Sequence, residues 1–274
     1  MPELPEVETI VRQLDKALKG KVISGVEVLR EKSFGGSSLE LMGKKIKKVG
    51  RKAKMVVIEF DKLVVLVHLK MTGQLVLVKG KERVVGGHPT ADWVNKLPSK
   101  HTRVIINFKD GSRLFFNDMR TFGWMKIGDV PSMPPDVVDK EFDFNYLKSV
   151  FAKSKRAVKV IIMDQKQMGG VGNIYACDAL FLAGVDPGKL ANSLNGNEIK
   201  QVYKAVKKII NKGIKMGGAS YSDYKDTRGM GGKYQEHFLV YAREGMNCEN
   251  CDGKIKKFKL GGRGTYWCPK CQMR

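Results

Sequence analysis

The N-terminal segment carries apolar residues at helical spacing. Between Leu4 and Leu18 they occur at positions 4, 7, 10, 11, 14 and 18, so that each has another three or four residues away. This periodicity predicts an amphipathic helix. Pro5 suits the first turn of that helix, and Gly20 suits the residue just beyond its end. The apolar stripe of the helix needs another layer of structure to pack on.

The pattern then changes to short runs rich in β-branched and aromatic residues. They are MVVIEF (55–60), LVVLVHL (63–69), QLVLV (74–78), RVIINF (103–108) and RLFFN (113–117). The turn-forming pair Asp110 and Gly111 separates the last two runs. Such runs predict β-strands joined by hairpins. We therefore expect an antiparallel β-sandwich or barrel with the first helix packed on it.

A proline-rich stretch interrupts both periodicities and predicts a linker over residues 131–143. Helical patterns follow at 145–151, 155–167, 174–183 and 198–211. The predicted fold is therefore a multidomain α+β protein. We expect an N-terminal domain over 1–130, a helical domain over 144–235 that contains a glycine-rich stretch at 217–232, and a cysteine-containing domain over 236–274.

Four of the five cysteines form the pattern C-x2-C-x16-C-x2-C, at Cys248, Cys251, Cys268 and Cys271. This spacing is typical of zinc ribbons, in which two pairs of thiolates complete a tetrahedral site. The intervening residues can form a β-hairpin that presents the second pair. Four protein ligands leave no open position, so we expect one structural Zn²⁺ ion. Cys177 is unpaired in an apolar segment and is expected to be buried.

The chain is strongly basic. It contains 274 residues and 50 Lys and Arg against 28 Asp and Glu, a formal net charge of +22. A polyanionic partner explains such an excess. A lysine-rich composition that only solvates helix faces remains an alternative. No basic, apolar leader or long apolar run is present, so we expect a soluble cytoplasmic protein.

Several further motifs have two interpretations each on sequence alone. Asn173, in GVGNIY, is placed to cap a helix or to help bind a phosphate. Arg263 lies between glycines in the basic hairpin and suits a phosphate contact or a solvated surface. Met71, in HLKMTG, and Arg120 and Phe122, in NDMRTFG, suit wedges in a base stack, whereas composition favours core positions for Met and Phe. For His68, a core histidine is the favoured interpretation.

Taken together, these motifs resemble the bacterial formamidopyrimidine-DNA glycosylase family. The resemblance comprises PELPEVET, HLKMTG, NDMRTFG, GVGNIY and the four-cysteine finger, in this order and over essentially the whole chain. It implies a bifunctional DNA glycosylase and AP lyase of base excision repair that removes 8-oxoguanine and formamidopyrimidines from double-stranded DNA. It also implies a monomer with a helix-two-turns-helix element, associated with the bacterial nucleoid.

The resemblance also implies roles for the N-terminal residues. After removal of Met1, Pro2 would attack C1′ of the damaged nucleotide and form an iminium intermediate that permits β- and δ-elimination. Glu3 would transfer protons during opening of the sugar ring. Glu6 would contact the target sugar, and Lys54 would lie near the phosphate and base of the lesion.

The remaining implied residues bind DNA. Lys159 and Asn173 match phosphate-binding positions, and Arg263 matches the zinc-finger arginine that holds the backbone at the extruded nucleotide. Met71, Arg120 and Phe122 match the side chains that fill the gap left by the flipped base. The stretch 217–232 matches the loop that covers that base. Lys70, Met119 and Thr121 depart from the residues expected beside these wedges; glycine is common at position 70.

Three alternatives remain open on the sequence. An endonuclease VIII-type glycosylase for oxidised pyrimidines shares most of these motifs, although Leu4 is the residue expected in the purine-specific family. A damaged-DNA-binding zinc-finger protein without catalysis would explain the charge, the finger and the wedges. An N-terminal-proline tautomerase would explain only the amine.

Overall fold

The computed structural model describes residues 1–88, 90–219 and 232–272. Within them the chain forms two compact units. Unit 1 covers residues 1–132, and unit 2 covers residues 133–219 together with the chain from residue 232 onward. The predicted capping loop, 217–232, lies largely outside the described residues.

Unit 1 is one helix and a β-sandwich, so the predicted sandwich is confirmed. Its two five-stranded sheets have the orders β1-β8-β9-β6-β7 and β2-β10-β5-β4-β3. The elements are α1 (Leu4–Leu18), β1 (Ile23–Val28), β2 (Phe34–Gly35), β3 (Lys48–Lys52), β4 (Met55–Glu59), β5 (Val64–His68), β6 (Gly73–Lys79), β7 (Glu82–Gly87), β8 (Thr102–Phe108), β9 (Arg113–Asp118) and β10 (Trp124–Ile127). The apolar runs did not reveal β3, whose sequence KVGRK contains a single buried residue.

The core of unit 1 lies between the two sheets. Val65 and Val67 of β5 belong to the same buried cluster as Leu75 and Leu77 of β6. Their alternate spacing places them on one face of each strand, as expected when one side of a sheet is buried. The apolar stripe of α1 completes this cluster with buried residues such as Leu14.

Helix α1 packs on β3 and β7, an outer strand of each sheet. Asp15 Oδ1 accepts a hydrogen bond from Val49 N–H of β3 at 2.7 Å. On β7, a Cβ at Gly86 would lie 2.7 Å from Ile10 of the helix, so glycine permits the close approach. Covering an edge strand satisfies its exposed backbone groups. The same packing fixes the start of α1, where Pro2 and Glu3 lie.

Unit 2 contains four helices and a hairpin in its described part. They are α2 (Phe144–Ala152), α3 (Val158–Ile162), α4 (Asn173–Ala183), α5 (Gly196–Lys215), β11 (Lys256–Leu260) and β12 (Arg263–Trp267). The helix predicted over 155–167 is wrong in length, because only α3 forms there. Asp164 Oδ1 accepts from Lys166 N–H at 3.0 Å, a local turn that competes with continued helix.

The predicted linker, 131–143, packs mostly into unit 2. Val137 and Phe142 are fully buried, and Asp136 pairs with Gly169 in an isolated β-bridge. These apolar residues are packed inside the protein despite the prolines around them. The stretch therefore forms part of the folded unit from residue 133 onward.

Helix α4 is the centre of unit 2. Its residues from Tyr175 to Phe181 are buried on all sides, and α5 packs along it. Within it, the fully buried Asp178 accepts hydrogen bonds from Val240 N–H at 3.0 Å and from Tyr234 O–H at 2.9 Å. Burial raises the pKa of Asp178, although these donors favour its ionised form. The carboxyl group thereby ties the segment after residue 232 to α4.

Candidate functional site

The candidate catalytic residues lie at the start of α1. Pro2 is half-buried, and Glu3, which precedes the first helical residue, is 4% exposed. The Glu6 carboxylate accepts a hydrogen bond from Glu3 N–H at 2.7 Å, as in a capping box. This bond fixes the Pro2–Glu3 peptide against the helix. A carboxyl group is therefore held one residue from the candidate nucleophile.

His88 also lies near this terminus, and no motif in the sequence indicates this. Burial and the positive charge of the terminal amine lower the pKa of His88, so the ring favours its neutral form. His88 directly follows β7, the strand that packs on α1. Only the packing of β7 on α1 brings His88 close to the terminus, and a lone histidine in GGHPT carries no sequence pattern that would predict this.

Lys54 and His68 lie near each other in unit 1. Lys54 is 6% exposed in the turn between β3 and β4, and His68 ends β5. His68 Nδ1 accepts from Lys70 N–H at 3.0 Å. Burial, with the charges of Lys70 and Lys54, lowers the pKa of His68 to about 4. The ring is therefore neutral at pH 7 and its Nδ1 is hydrogen-bonded, although it lies at the margin of the core rather than inside it.

Met71, Arg120 and Phe122 are exposed, which excludes the core alternative for them. Phe122 is 56% exposed and Met71 36%. The Arg120 guanidinium lies over the Phe122 ring, 5.1 Å from its centroid. Arg120 N–H donates to Thr72 Oγ1 at 3.0 Å, so the loops that carry Met71 and Arg120 lie side by side. Together they present apolar and cationic groups on one surface of unit 1.

Left-handed backbone occurs directly beside several candidate site residues of unit 1. Among the described non-glycine residues, positive φ occurs at Ala53 (50°), Lys70 (49°), Thr121 (58°) and Ala242 (58°). The first three are each adjacent to a candidate site residue. This conformation costs an L-residue roughly 1–2 kcal/mol. The positive φ at position 70 explains why glycine is common there in the family that the chain resembles. At Thr121 the same conformation is a pronounced outlier, because the residue is β-branched.

In unit 2, Lys159 and Asn173 form a network with the hairpin. Lys159, 1% exposed in α3, donates through Nζ to Asn173 Oδ1 at 2.6 Å and to Thr265 Oγ1 at 2.8 Å. Asn173 Nδ2 donates to Gly264 O at 3.0 Å. Asn173 is the first residue of α4, after Gly172 at the N-cap. The network joins α3, the positive end of α4 and β12 around a buried ammonium group.

Arg263 lies exposed at the start of β12. The turn before it contains Gly261 and Gly262 in left-handed conformations, with φ of 56° and 76°. A Cβ at Gly261 would lie 2.9 Å from Val160 Cγ2, so the turn packs closely on α3. The guanidinium group therefore projects from a hairpin end that is held against the Lys159 network.

The four cysteines of the sequence pattern come together in unit 2. Their Sγ atoms all lie within 4.8 Å of one another, with Cys248 and Cys271 3.8 Å apart and Cys251 and Cys268 3.6 Å apart. Tetrahedral zinc with Zn–S bonds of about 2.3 Å requires sulfur separations of about 3.8 Å. The donor set therefore fits one structural Zn²⁺ ion. Cys177 is buried in the cluster of apolar residues beside them and is outside the ligand group.

A sandwich with a capping helix, a helical unit and a four-cysteine hairpin define a zinc-finger protein with two compact units. Residues 1–125 match the formamidopyrimidine-DNA glycosylase N-terminal domain, 133–225 the H2TH domain of the same enzymes, and 247–274 the zinc finger found in FPG and IleRS. The chain belongs to the formamidopyrimidine-DNA glycosylase family and is a DNA glycosylase of base excision repair.

Individual relatives match over the full length. The formamidopyrimidine-DNA glycosylase of Pelotomaculum thermopropionicum is 38% identical, with 99% of each chain covered. That of Bacillus subtilis is 35% identical over the whole of both chains. A Lactococcus lactis FPG variant in complex with Fapy-dG containing DNA superposes with a TM-score of 0.87 at 30% identity, covering both chains fully. In the described part of the chain, none of the helices has both the length and the hydrophobicity that a membrane span requires.

Proposed function

We propose that this chain removes oxidised purines from double-stranded DNA and then cuts the strand, using Pro2 as the nucleophile. The observation that carries the proposal is the geometry at the start of α1. There the buried Glu3 follows Pro2 directly, and Glu6 holds the peptide between them. An α-amino group titrates near pH 7.7–8.0, about two and a half units below lysine, so a useful fraction is neutral at physiological pH.

The proposed reaction has two stages. The secondary amine of Pro2 attacks C1′ as the glycosidic bond breaks, and the proton lost from its nitrogen neutralises the departing base. Glu3 donates a proton to the sugar ring oxygen as the bond between that oxygen and C1′ breaks, which leaves an iminium between Pro2 and the opened sugar. The iminium acidifies C2′, so loss of that proton expels the 3′ phosphate. A second elimination expels the 5′ phosphate. Glu6 combines its backbone contact with the proposed contact to the target sugar.

The proposed DNA contacts divide between the two units. In unit 1, Lys54 lies near the lesion, and Met71, Arg120 and Phe122 fill the space that the flipped base leaves. In unit 2, Arg263 and Asn173 bind the DNA backbone. The buried Lys159 holds the Asn173 side chain and adds positive electrostatic potential at the phosphate. A formal charge of +22 supports this interface, and solved relatives from Lactococcus lactis contain lesion or abasic-site DNA.

Oxidised pyrimidines are the second candidate substrate class. The same Lactococcus lactis protein has been solved with oxidized pyrimidine containing DNA, at a TM-score of 0.86 to this chain. Leu4, the residue expected in the purine-specific family, favours purines. We further propose that the protein acts as a monomer at the nucleoid in the cytoplasm, where its substrate lies.

Borohydride trapping tests the proposal. The protein is incubated with duplex carrying 8-oxoguanine opposite cytosine, and the reductant converts any iminium into a stable covalent product. We expect a cross-linked band with the lesion duplex and none with undamaged duplex. A variant that retains Met1 is the matched control, because it blocks the Pro2 amine without changing any other residue; it should bind DNA but give no band.

Each contrary outcome has a distinct meaning. A band that forms only on thymine-glycol duplex would transfer the activity to oxidised pyrimidines. Tight binding without a band, on 8-oxoguanine and abasic duplexes alike, would leave a damage-binding protein without catalysis. An undiminished band with the Met1-retaining variant would assign the nucleophile to another amine.

A further inference from the structure

We propose that Thr72 and Asp118 are positioning residues. They join the two loops that carry the wedge side chains, so that Met71, Arg120 and Phe122 enter the duplex together. The Met71 loop is residues 69–73, and the Arg120 loop is residues 119–123. The inference rests on the proposed function, since it assigns these loops a part in opening the base stack. Neither residue has a role in the scheme given above.

Asp118 organises the Arg120 loop from a fully buried position at the end of β9. Its Oδ1 accepts from Arg120 N–H at 3.2 Å, and its Oδ2 accepts from Gly123 N–H at 2.6 Å. The two bonds hold the backbone on both sides of Thr121. One carboxylate therefore closes the short loop that presents Arg120 and Phe122.

Thr72 connects this carboxylate to the Met71 loop. Its hydroxyl donates to Asp118 Oδ1 and accepts from Arg120 N–H at 3.0 Å. Thr72 is 6% exposed, whereas its neighbour Met71 faces solvent. A displacement of one loop must break buried hydrogen bonds that the other loop supplies, and unpaired buried polar groups are costly.

The backbone explains why such a connection is needed. Lys70 and Thr121 adopt left-handed conformations that neither residue type favours. Strained conformations persist only where surrounding contacts over-determine them. Gly73 N–H donates to Leu69 O at 2.8 Å and closes the Met71 loop, while the Asp118 bonds hold the residues on either side of Thr121. Thr72 is the side chain that spans both loops.

The test compares base release with cutting at a preformed abasic site. Thr72→Val removes the hydroxyl and keeps the side-chain shape, and Thr72→Ser keeps the hydroxyl. We expect Thr72→Val to slow release of 8-oxoguanine opposite cytosine about tenfold, the typical effect of losing a buried hydrogen bond. Cutting at an abasic site should change less than about twofold, because no base has to be unstacked there. Thr72→Ser should behave as the original protein.

Ser112→Ala is the matched control. Ser112 is fully buried, and its hydroxyl donates to Asp110 Oδ1 at 2.6 Å, beyond the opposite end of β9. Ser112→Ala loses a hydroxyl–carboxylate hydrogen bond, as Thr72→Val does, without touching either wedge loop, so both rates should be retained. Thermal unfolding of every variant reports the cost to the fold. If Thr72→Val does not fold, Thr72→Ala takes its place.

Coupling is measured by combining Thr72→Val with Met71→Ala. If Thr72 acts through wedge placement, the two losses should be clearly less than multiplicative. Independent, multiplicative losses would overturn the proposal, as would equal slowing of base release and abasic-site cutting.

A binding experiment separates this inference from the proposed activity. Fluorescence of 2-aminopurine opposite a tetrahydrofuran abasic analogue reports wedge insertion and requires no chemistry. We expect Thr72→Val to reduce the fluorescence change at saturating protein, with Ser112→Ala unchanged. If the original protein releases no base but gives a larger fluorescence change than Thr72→Val, the proposed function fails and the coupling stands. If the original protein and Thr72→Val give the same fluorescence change, the coupling fails.

Discussion

The candidate residues of the two units differ in how the fold holds them. In unit 1, Met71 and Phe122 are exposed on loops that contain left-handed, non-glycine backbone. In unit 2, Lys159 is 1% exposed, and it and Asn173 are hydrogen-bonded into a hairpin that four cysteines close. Unit 1 thus presents apolar groups at the cost of strain, whereas unit 2 presents a surface preorganised by buried polar contacts.

This difference separates two physical tasks. A side chain that replaces a flipped base must leave water and enter a stack, so it has to be exposed beforehand and directed by its backbone. A group that holds a phosphate gains most from rigid donors whose ordering cost is already met in the fold. The following predictions test whether the two units follow this division.

Metal removal should have the largest effect, and it should be confined to unit 2. Structural zinc sites contribute about 10 kcal/mol or more to the folding of small zinc domains. We expect chelation to unfold β11 and β12, to break the Lys159–Thr265 contact and to abolish tight DNA binding. Hydrogen exchange of peptides from the hairpin should rise to the unprotected limit, while β4 and β5 keep their protection.

Cys177→Ala is the control for this experiment, because Cys177 lies outside the ligand group. It should retain the protection of the hairpin and its sensitivity to chelator. Equal loss of protection in β4 and β5 on chelation would refute the division into independently held units.

Acid should weaken unit 1 through His68. The pKa of His68 is about 4 in the fold, mainly because of burial, against about 6.5 in an unfolded chain. As pH falls below 6.5 the unfolded chain takes up a proton before the folded one does, so stability is lost with falling pH. Between pH 6.5 and 5 the loss should be about 1.5 kcal/mol.

The measurement is the free energy of opening of β4 and β5, obtained by hydrogen exchange with the pH dependence of intrinsic exchange taken into account. His68→Gln has no titrating ring and should remove most of the slope over this range. A slope that is the same in both proteins would mean that other groups carry the acid sensitivity of unit 1.

Loss of the Asn173 side chain should weaken unit 2 by breaking the network. Asn173→Ala removes an acceptor of Lys159 and the donor to Gly264 O, and unmade buried hydrogen bonds cost about 1–3 kcal/mol. Asn173→Asp keeps an acceptor for Lys159 but places a carboxylate oxygen against Gly264 O, so its stability should lie between those of the original protein and Asn173→Ala. Denaturant unfolding followed by hairpin hydrogen exchange measures the change. Unaltered stability of Asn173→Ala would show that the hairpin is held by the metal alone.

The sequence predicted the elements whose pattern is local and missed those defined by distant partners. Helix α1 follows from its helical periodicity, whereas strands β4, β5, β8 and β9 follow from short, almost continuously buried runs of β-branched and aromatic residues. Strand β3 is defined by its neighbour β4 and by α1, which its composition does not show. The cysteine spacing predicted the metal site, because all four ligands lie on one hairpin and its flanks.

The candidate site shows the same division. The motifs identified Pro2, Asn173 and Arg263, but not the proximity of His88 to the terminus or the burial of Lys159. Thr72 and Asp118 lie within the motifs HLKMTG and NDMRTFG, but the motifs do not indicate their role, because it depends on a hydrogen bond across 46 residues of sequence. Such contacts depend on the pairing of β6 with β9, which sequence periodicity does not specify.

Arg263→Ala should weaken DNA binding without changing the fold, because the side chain is exposed. Loss of one phosphate contact lowers the slope of log affinity against log salt concentration by about 0.9, equally for all sequences. Lys256→Ala, an exposed charge on β11 of the same hairpin, is the matched control for a solvated lysine and should change the slope less. If both variants give the same slope, the hairpin binds DNA through diffuse charge and Arg263 has no special contact.

The smallest expected effect tests the strain directly. Lys70→Gly relieves the left-handed backbone of the Met71 loop and should raise the unfolding free energy by up to about 1 kcal/mol, partly offset by the greater freedom of glycine in the unfolded chain. Ala242→Gly relieves the same kind of strain in unit 2, at φ 58°. Calorimetry should show similar stabilisation in both. Both variants should retain base release, because glycine is common at position 70 in the family and the bond from Gly73 N–H to Leu69 O is kept in Lys70→Gly. Slower base release by Lys70→Gly alone would mean that the left-handed lysine itself helps to place Met71.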